Sequence, residues 1–203
     1  MQIKQVFSAY DESESTILGQ FKFCPFCGIR LSSKRKGGQQ RPACPQCGFV
    51  QFRNPIPGVV VLLERDGQVL LGKRAGGFGK GRWGLPQGYI EFDEDFLTAA
   101  IREVKEETGL DVEIRSIINV VSNLLSPGLH TLAIVLLAGV VAGELCACDD
   151  LETLEWVPLA GPLPQMAFEA DEHIIETYWQ TEHEWGLPVD PDFACLGVSR
   201  VGG

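Results

Sequence analysis

A short predicted helix in the middle of this 203-residue chain concentrates negative charge and constrains the fold more than any other feature. Glu103, Glu106 and Glu107 lie three and four residues apart, so in an α-helix they fall within about 100° of one another. The neighbouring face of the helix is mostly apolar and can pack on a core. It contains Leu97, Ala100, Ile101, Val104 and Thr108. Like charges at this spacing destabilise an isolated helix by roughly 0.2–0.5 kcal/mol per pair. The cluster is therefore either a solvated acidic face or a ligand set for a hard divalent cation.

The residues that surround the cluster favour the cation. The chain from Gly88 to Leu110 fits Gly-x5-Glu-x7-Arg-Glu-U-x-Glu-Glu-x-Gly-U, where U is a bulky apolar residue. The fixed positions are filled by Gly88, Glu94, Arg102, Glu103, Val104, Glu106, Glu107, Gly109 and Leu110. This pattern resembles the Nudix box, the signature of a family of hydrolases that cleave nucleoside diphosphate derivatives.

The resemblance implies a catalytic Mg²⁺ or Mn²⁺ ion. Its expected ligands are Glu103, Glu106, Glu107 and the carbonyl oxygen of Gly88. Arg102 is expected to orient a box glutamate through charge-assisted hydrogen bonds, and Glu94 to act as a supporting carboxylate. A metal held in this way neutralises the diphosphate and lowers the pKa of a bound water.

Further catalytic and substrate-binding candidates lie outside the box. In this family another acid often comes from a strand after the box; Glu155, just before Trp156, is the first candidate for a general base, and Glu152 is the second. Before the box, the glycine-rich stretch 76–82 is either a flexible connector or a phosphate cradle. Lys80 and Arg82 are the substrate-binding candidates there, because a diphosphate needs cationic partners.

A repeated cysteine pattern predicts a small metal-held module. Cys24 and Cys27, and again Cys44 and Cys47, form Cys-x-x-Cys-Gly motifs with 16 residues between the pairs. Two such turns supply the four thiolates of a closed structural Zn²⁺ site. Disulfides and a redox pair are the alternatives; a cytosolic setting disfavours the first and the symmetric duplication the second. Three other cysteines, which have no second pair at ligand spacing, are interpreted as packing or surface thiols: Cys146, Cys148 and Cys195.

Charge is distributed unevenly along the chain. The net charge of −10 argues against nucleic acid as a general partner, yet residues 15–63 contain seven basic residues and no acidic one. The basic loop of the zinc module either contacts phosphates of a substrate or RNA, or belongs to a module that only supports the larger domain or an oligomer interface. No apolar run reaches the length of a membrane span, and no signal-peptide core follows Met1. We therefore expect a cytoplasmic protein without a membrane partner.

The order of predicted elements indicates an α/β protein. Asp66-Gly67 between two apolar runs predicts a tight hairpin. Later strands are predicted at 112–121, 131–141 and 152–159, and a second helix at 167–179. This order resembles the Nudix fold, an α/β/α sandwich with a mixed sheet, preceded here by a zinc ribbon. The predicted domains are an N-terminal segment 1–20, a zinc ribbon 21–53, a Nudix hydrolase domain 55–180 and a C-terminal tail 181–203.

The resemblance narrows the range of candidate substrates but does not identify a single one. The ribbon is similar to that of the family branch that includes NADH, FAD and ADP-ribose pyrophosphatases, but residues 120–128 lack the proline-rich marker of the NADH enzymes. Pro127 lies 17 residues after Leu110, where ADP-ribose hydrolases tend to have a proline. We predict hydrolysis of the diphosphate of such a nucleotide derivative, in a protein that the resemblance allows to be a homodimer. The alternatives are a non-catalytic nucleotide-sugar sensor with a nucleic-acid-binding ribbon, and a purely structural partner protein.

Overall fold

A computed structural model describes residues 4–10, 21–181 and 186–189. The helices in these ranges are α1 (Phe96–Thr108) and α2 (Glu169–Gln180). The strands are β1 (Val6–Ser8), β2 (Ser32–Lys36), β3 (Gln39–Ala43), β4 (Ile56–Arg65), β5 (Gln68–Arg74), β6 (Trp83–Gly84), β7 (Gln87–Tyr89), β8 (Leu110–Ser126), β9 (Leu129–Gly143), β10 (Leu151–Pro158) and β11 (Leu187–Pro188). Within the described ranges, neither helix has the length and apolar character needed to cross a membrane.

The chain divides into two compact units. The first contains Met1–Phe7, Pro57–Asn123 and Thr131–Gly203, and the second contains Ser8–Ile56 with the hairpin end Leu124–His130. The second unit holds the antiparallel β2–β3 pair, in which Lys34 lies opposite Arg41. In that unit Arg53 also donates a hydrogen bond of 2.9 Å to the carbonyl oxygen of Pro127.

A large sheet dominates the first unit. Its strand order is β1-β8-β9-β4-β5-β10, with β11 beside β8, β6 beside β5 and β7 beside β4. The predicted hairpin between β4 and β5 is confirmed, since Arg65 pairs with Gln68 and both Asp66 and Gly67 have positive φ. A primed turn requires that conformation at both of its central residues.

Each face of the sheet carries a helix. On β4, Val59, Val61 and Leu63 belong to a core cluster that includes the buried residues of α1, which we call the α1-side core. Val60 and Leu62 face the other way and join Ile174 and Ile175 of α2 in the α2-side core. A strand buried on both faces reads as one continuous apolar run, as β4 does. The predicted α/β/α architecture with a mixed sheet is therefore confirmed.

The ends of the chain add short strands that the sequence did not signal. β1 is three residues long and lies beside β8, with Phe7 buried in the α2-side core. In the predicted C-terminal tail, Leu187 and Pro188 pair with Ile117 and Ser116 of β8. Both strands are too short to show a clear alternation of polar and apolar residues, which explains why sequence pattern alone does not reveal them.

Candidate active site

Capping interactions fix both ends of the helix that carries the glutamate cluster. Before α1, the Asp95 side chain accepts hydrogen bonds from the backbone N–H groups of Leu97 and Thr98, at 2.9 and 3.0 Å. After α1, Gly109 adopts a left-handed conformation with φ of 73° and donates its N–H to the Lys105 carbonyl. These are favourable N-terminal and C-terminal caps. The helix therefore begins and ends at defined residues. This fixes the position of its glutamates along the helix axis relative to β7.

Arg102 connects the carboxylates of the box. Its guanidinium donates to both oxygens of Glu94, with Nη2–Oε1 at 2.6 Å and Nε–Oε2 at 3.0 Å. Its Nη1 donates to Glu103 at 2.8 Å and to Glu106 at 2.9 Å, and Nη2 also donates to the Tyr89 carbonyl at 3.0 Å. The fork of a guanidinium matches the two oxygens of a carboxylate, so Glu94 and Arg102 form a rigid pair. This pair orients Glu103 and Glu106.

Glu103 lies directly against the backbone of Gly88. A Cβ atom added at Gly88 would lie 1.9 Å from Cδ of Glu103 and 2.1 and 2.2 Å from its two oxygens. Only glycine leaves room for this approach. The side chain of the box glutamate and the main chain at the start of the box therefore lie next to each other, as a shared metal site requires.

Glu107 is the most deeply buried carboxyl group of the cluster, with 3% of its surface exposed. Its Oε2 accepts a hydrogen bond of 3.0 Å from the backbone N–H of Gln87. Loss of solvation raises the pKa of Glu107 to about 8; the Gln87 hydrogen bond opposes this shift, and the nearby Glu103 charge reinforces it. Burial likewise raises the pKa of Glu103, against the opposing effect of Arg102.

This donor set fits a hard divalent cation. Glu103 and Glu107 are carboxyl groups poorly solvated by water, and Glu106 is a half-exposed carboxylate on the same helix. Oxygen ligands of this kind suit Mg²⁺ and Mn²⁺. A bound cation would stabilise the ionised form of Glu107, which burial disfavours at neutral pH.

The two general-base candidates, Glu155 and Glu152, lie on β10. In the β5–β10 pairing, Trp156 lies opposite Leu70 in the α1-side core, whereas Glu155 lies opposite Leu71, which faces the α2-side core. Because neighbouring residues of a strand point to opposite faces, the exposed Glu155 side chain points away from α1. Glu152 forms an ion pair of 2.7 Å with Lys73. This placement gives a general-base role of Glu155 no support.

The glycine-rich stretch forms a hydrogen-bonded turn between β5 and β6, and neither the connector nor the phosphate-cradle interpretation is tested by this geometry. The backbone N–H of Arg74 donates to the carbonyl of Arg82, and the N–H of Gly81 donates to that of Arg74, both at 2.9 Å. A Cβ at Gly79, where φ is 73°, would lie 2.5 Å from Cβ of Ala167. Lys80 and Arg82 are exposed on this turn. Their substrate-binding role stays a prediction.

A buried acid near the box escaped the sequence analysis. Asp171 of α2 is 2% exposed, and its Oδ2 accepts a hydrogen bond of 3.0 Å from the backbone N–H of Leu85. Burial raises the pKa of Asp171 to about 7, against the Leu85 hydrogen bond and the charge of Arg74. The sequence did contain a signal, because Asp171 precedes Ile174 and Ile175 by three and four residues and so lies on the apolar face of the helix.

Gln87 is the second residue that sequence reasoning missed. Its side-chain Nε2 is buried and has no hydrogen-bond partner within the described part of the chain. The space that a Cβ at Gly84 would occupy lies 3.6 Å from this nitrogen and 3.1 Å from Oδ2 of Asp171. The segment that leads into the box is thus held by α1 through Glu107 and by α2 through Asp171.

The four ribbon cysteines converge in the second unit. The Sγ atoms of Cys24, Cys27, Cys44 and Cys47 all lie within 4.8 Å of one another. A tetrahedral zinc site with Zn–S bonds of about 2.3 Å separates its sulfurs by comparable distances. The N–H of Cys47 points at Sγ of Cys44, and this hydrogen bond is the largest of the contributions that lower the pKa of Cys44 to about 6. The cluster has the chemistry and the spacing to hold Zn²⁺.

The remaining cysteines differ in placement. Cys146 and Cys148 are exposed, and their sulfurs face each other at 2.9 Å. They are surface thiols, as predicted, but the sequence did not indicate that they form a pair. Cys195 lies outside the described residues.

Comparison with known proteins gives consistent matches. A sequence model described as the NUDIX domain matches residues 53–178. An ADP-ribose pyrophosphatase of Methanocaldococcus jannaschii is 38% identical over 128 residues, which cover 63% of this chain and 75% of that protein. A NAD-capped RNA hydrolase of Pseudomonas aeruginosa is 30% identical over 173 residues, which cover 84% of this chain but only 60% of that protein.

Solved structures of Nudix hydrolases also superpose on this chain. A Nudix hydrolase of Nitrosomonas europaea superposes with a TM-score of 0.68 at 25% identity, covering 80% of this chain and 93% of that one. A MutT Nudix hydrolase of Burkholderia pseudomallei superposes with a TM-score of 0.57 at 33% identity, covering 61% and 98%.

Proposed function

Because the chain belongs to the Nudix hydrolase family, we propose that it is a Mg²⁺- or Mn²⁺-dependent hydrolase that cleaves the diphosphate linkage of a nucleoside diphosphate derivative. The observation that carries this proposal is the burial of Glu107 beside Glu103. Glu103 has the guanidinium of Arg102 beside it, but a carboxyl group buried as deeply as Glu107 is stable as an anion only beside a further positive charge. A divalent cation held by Glu103 and Glu107 would supply that charge and the chemistry of the family.

Each residue of the site has a role in this proposal. Glu103, Glu106, Glu107 and the Gly88 carbonyl would hold the cation, which when bound polarises the diphosphate and activates water. Arg102 holds Glu103 and Glu106 in position through its hydrogen bonds of 2.8 and 2.9 Å. Glu94 keeps the guanidinium in its orientation through two hydrogen bonds. Lys80 and Arg82 are proposed to contact the substrate phosphates.

We propose ADP-ribose as the first substrate to test. The M. jannaschii relative is named as an ADP-ribose pyrophosphatase. Pro127, the residue that ADP-ribose hydrolases tend to share, lies in the turn between β8 and β9. Neither observation involves the box, which contacts only the diphosphate and cannot by itself select the nucleoside.

The test is a substrate panel read by the masses of the products. Purified protein with Mg²⁺ is incubated with ADP-ribose, FAD, NADH, dinucleoside polyphosphates and nucleoside triphosphates. We expect AMP from ADP-ribose, and Glu107→Gln should lower the rate at least about 10²-fold. Glu113→Gln is the matched control, because Glu113 is an exposed glutamate of β8 outside the cluster. Absence of turnover across the panel, with cation binding retained, would instead favour the nucleotide-sugar sensor.

A second substrate class is favoured by the surface of the ribbon. Four phenylalanines in this unit have more than half of their surface exposed: Phe21, Phe23, Phe26 and Phe52. They lie among basic residues such as Arg41, whose guanidinium stacks 4.7 Å from the centre of the Phe52 ring. Aromatic rings among cations suit single-stranded nucleic acid. The P. aeruginosa relative is named as a NAD-capped RNA hydrolase, so this chain is proposed to accept capped RNA as well.

The two substrate classes can be separated with one ribbon variant. Replacing Lys34, Arg35 and Lys36 by glutamine removes three cations from the exposed β2 strand. If RNA binds there, turnover of NAD-capped RNA should fall at least about tenfold at low salt, while hydrolysis of ADP-ribose stays unchanged. Equal loss or equal retention on both substrates would contradict an RNA-binding role of the ribbon.

A further inference from the structure

A pair of cysteines outside the zinc module lies beside the C-terminal end of α1. Cys146 and Cys148 follow β9 and are both exposed, and their Sγ atoms are 2.9 Å apart. A single residue, Ala147, separates them in the sequence. Two accessible thiols at this distance are close enough to react with each other.

The backbone of the same segment binds the last turn of α1. The N–H of Cys148 donates to the carbonyl of Glu107 at 3.1 Å, and the N–H of Cys146 donates to the carbonyl of Thr108 at 2.9 Å. The last carbonyls of a helix have no partner within the helix, so these two bonds satisfy groups that would otherwise need water. The segment therefore supports the main chain of Glu107, whose side chain is in the proposed metal site.

The segment that contains Cys146 and Cys148 also packs closely against the end of α1. A Cβ added to Gly109, the C-cap of α1, would lie 2.5 Å from the Glu144 carbonyl oxygen and 3.4 Å from Cβ of Cys146. The segment continues to Asp150, whose carbonyl accepts a hydrogen bond from the N–H of Ala75 on the β5 side. A change in the backbone of this segment therefore acts directly on its contacts with the end of α1.

We propose that Cys146 and Cys148 are a redox modification site: a small-molecule disulfide oxidises them to an intramolecular disulfide, and closing this ring weakens divalent cation binding at Glu103 and Glu107. The second half of this statement rests on the proposed function. The first half rests only on the thiol pair.

The reaction is two successive thiol–disulfide exchanges. One thiolate of the pair attacks a sulfur of the oxidant, so that its S–S bond breaks, a mixed disulfide forms and one small thiolate leaves. The second cysteine loses its proton and attacks the protein sulfur of the mixed disulfide, releasing the other small thiolate. Two electrons leave the cysteine pair and reduce the oxidant to two thiols.

Ring closure acts through the backbone. A disulfide demands a defined Cβ–S–S–Cβ torsion, and a ring that contains only Ala147 between the cysteines leaves the main chain few conformations that satisfy it. The N–H groups of Cys146 and Cys148 then leave their present directions, and the carbonyls of Glu107 and Thr108 lose their donors. Disturbing groups that orient a metal ligand typically lowers metal affinity by about 10- to 100-fold.

The first experiment locates the disulfide. The zinc-loaded 203-residue chain is equilibrated with glutathione disulfide, its free thiols are blocked with an alkylating agent, and it is digested with a protease that cleaves after glutamate. Cleavage after Glu144 and Glu152 releases peptide 145–152, which contains both cysteines and excludes those of the ribbon. We expect this peptide to lose the mass of two hydrogens and to escape alkylation. A fully alkylated peptide, or one cross-linked to Cys195, would overturn the proposal.

The second experiment measures Mn²⁺ binding by electron paramagnetic resonance, independently of turnover. We expect the dissociation constant of the oxidised protein to rise at least about tenfold, and reduction to restore it. Cys146→Ser and Cys148→Ser, each treated with the same oxidant, should keep the affinity of the reduced protein and so exclude effects of ribbon oxidation. Unchanged affinity in the oxidised wild type would overturn the coupling. No Mn²⁺ binding by the reduced protein would overturn the proposed function and the coupling together, but not the disulfide.

Discussion

The carboxylate of Glu103 occupies the space in which any residue other than glycine at position 88 would place its Cβ, 1.9 Å from Cδ of Glu103. This relationship joins the first residue of the box to its first helical glutamate. It also explains in physical terms why the box begins with glycine. A side chain at position 88 and the observed position of Glu103 exclude each other.

We therefore predict that Gly88→Ala lowers activity at least about tenfold while the protein remains folded, because the methyl group displaces Glu103 from the cation. Activity at saturating and limiting Mg²⁺ is the measurement, with circular dichroism as the check of folding. Gly161→Ala is the matched control, since a Cβ there meets only ordinary contacts at 3.5 and 3.7 Å. Full activity of Gly88→Ala would contradict the requirement for glycine beside Glu103.

Arg102→Lys should raise the Mg²⁺ concentration needed for half-maximal rate by about tenfold or more. Lysine keeps the charge, but its three donors on a single nitrogen cannot replace the five hydrogen bonds of the guanidinium, two of which go to Glu94. Lys105→Gln removes a charge from the same helix, where an exposed pair with Asp111 contributes about 0–1 kcal/mol to stability. If both variants had the same Mg²⁺ requirement, Arg102 would not position the ligands.

The raised pKa of Asp171 predicts that the stability of the folded protein depends on pH. Its pKa is about 7 in the folded protein, above the value of about 3.9 expected in the unfolded chain. Between these two pKa values, Asp171 keeps its proton in the folded state and releases it in the unfolded state. Asp171 therefore makes the free energy of unfolding fall by up to about 1.4 kcal/mol per pH unit as pH rises. Above pH 7 this contribution becomes constant.

Asp171→Asn should remove that contribution, because asparagine keeps an oxygen acceptor for the Leu85 N–H and cannot ionise. The free energy of unfolding, measured with urea from pH 5 to pH 8, should favour the variant increasingly up to about pH 7. Glu103 and Glu107 titrate in both proteins, so the difference between the two curves isolates Asp171. Parallel curves would contradict the assignment.

Removal of zinc should unfold the ribbon. Four thiolates supply the binding energy that the small β2–β3 module needs, because the five residues of β2 are all exposed and bury little apolar surface. Hydrogen exchange measured after treatment with a strong chelator should accelerate across residues 21–53. Cys44→Ser should reproduce the effect without chelator, and unchanged exchange in both samples would contradict a structural zinc site.

Much of the candidate site could be predicted from the sequence because it is local. The box spans Gly88 to Leu110, so helix periodicity places Glu103, Glu106 and Glu107 near one another before any tertiary contact is known. The ribbon cysteines are equally local, since each Cys-x-x-Cys turn fixes two sulfurs. The Asp66-Gly67 turn required only a dipeptide between two apolar runs.

The sequence could not predict which face of the sheet a residue occupies, and the general-base role of Glu155 stays a prediction. Glu155 was chosen by its position in the chain, but the register of β10 against β5 turns its side chain away from α1. A shift of one residue in that register would have reversed the result. Short segments such as β1 carry too few residues for their pattern to be read.

The sequence alone determined that a helix presents three glutamates, that a glycine begins the box, and that four cysteines can hold one zinc ion. These follow from periodicities of the chain itself. Only the tertiary structure decided that Glu107 is buried, that Asp171 supports the segment before the box, and that Cys146 and Cys148 adjoin the end of α1. Burial and partnership between distant residues arise when strands and helices pack, and the spacing of residues along a chain does not encode that packing directly.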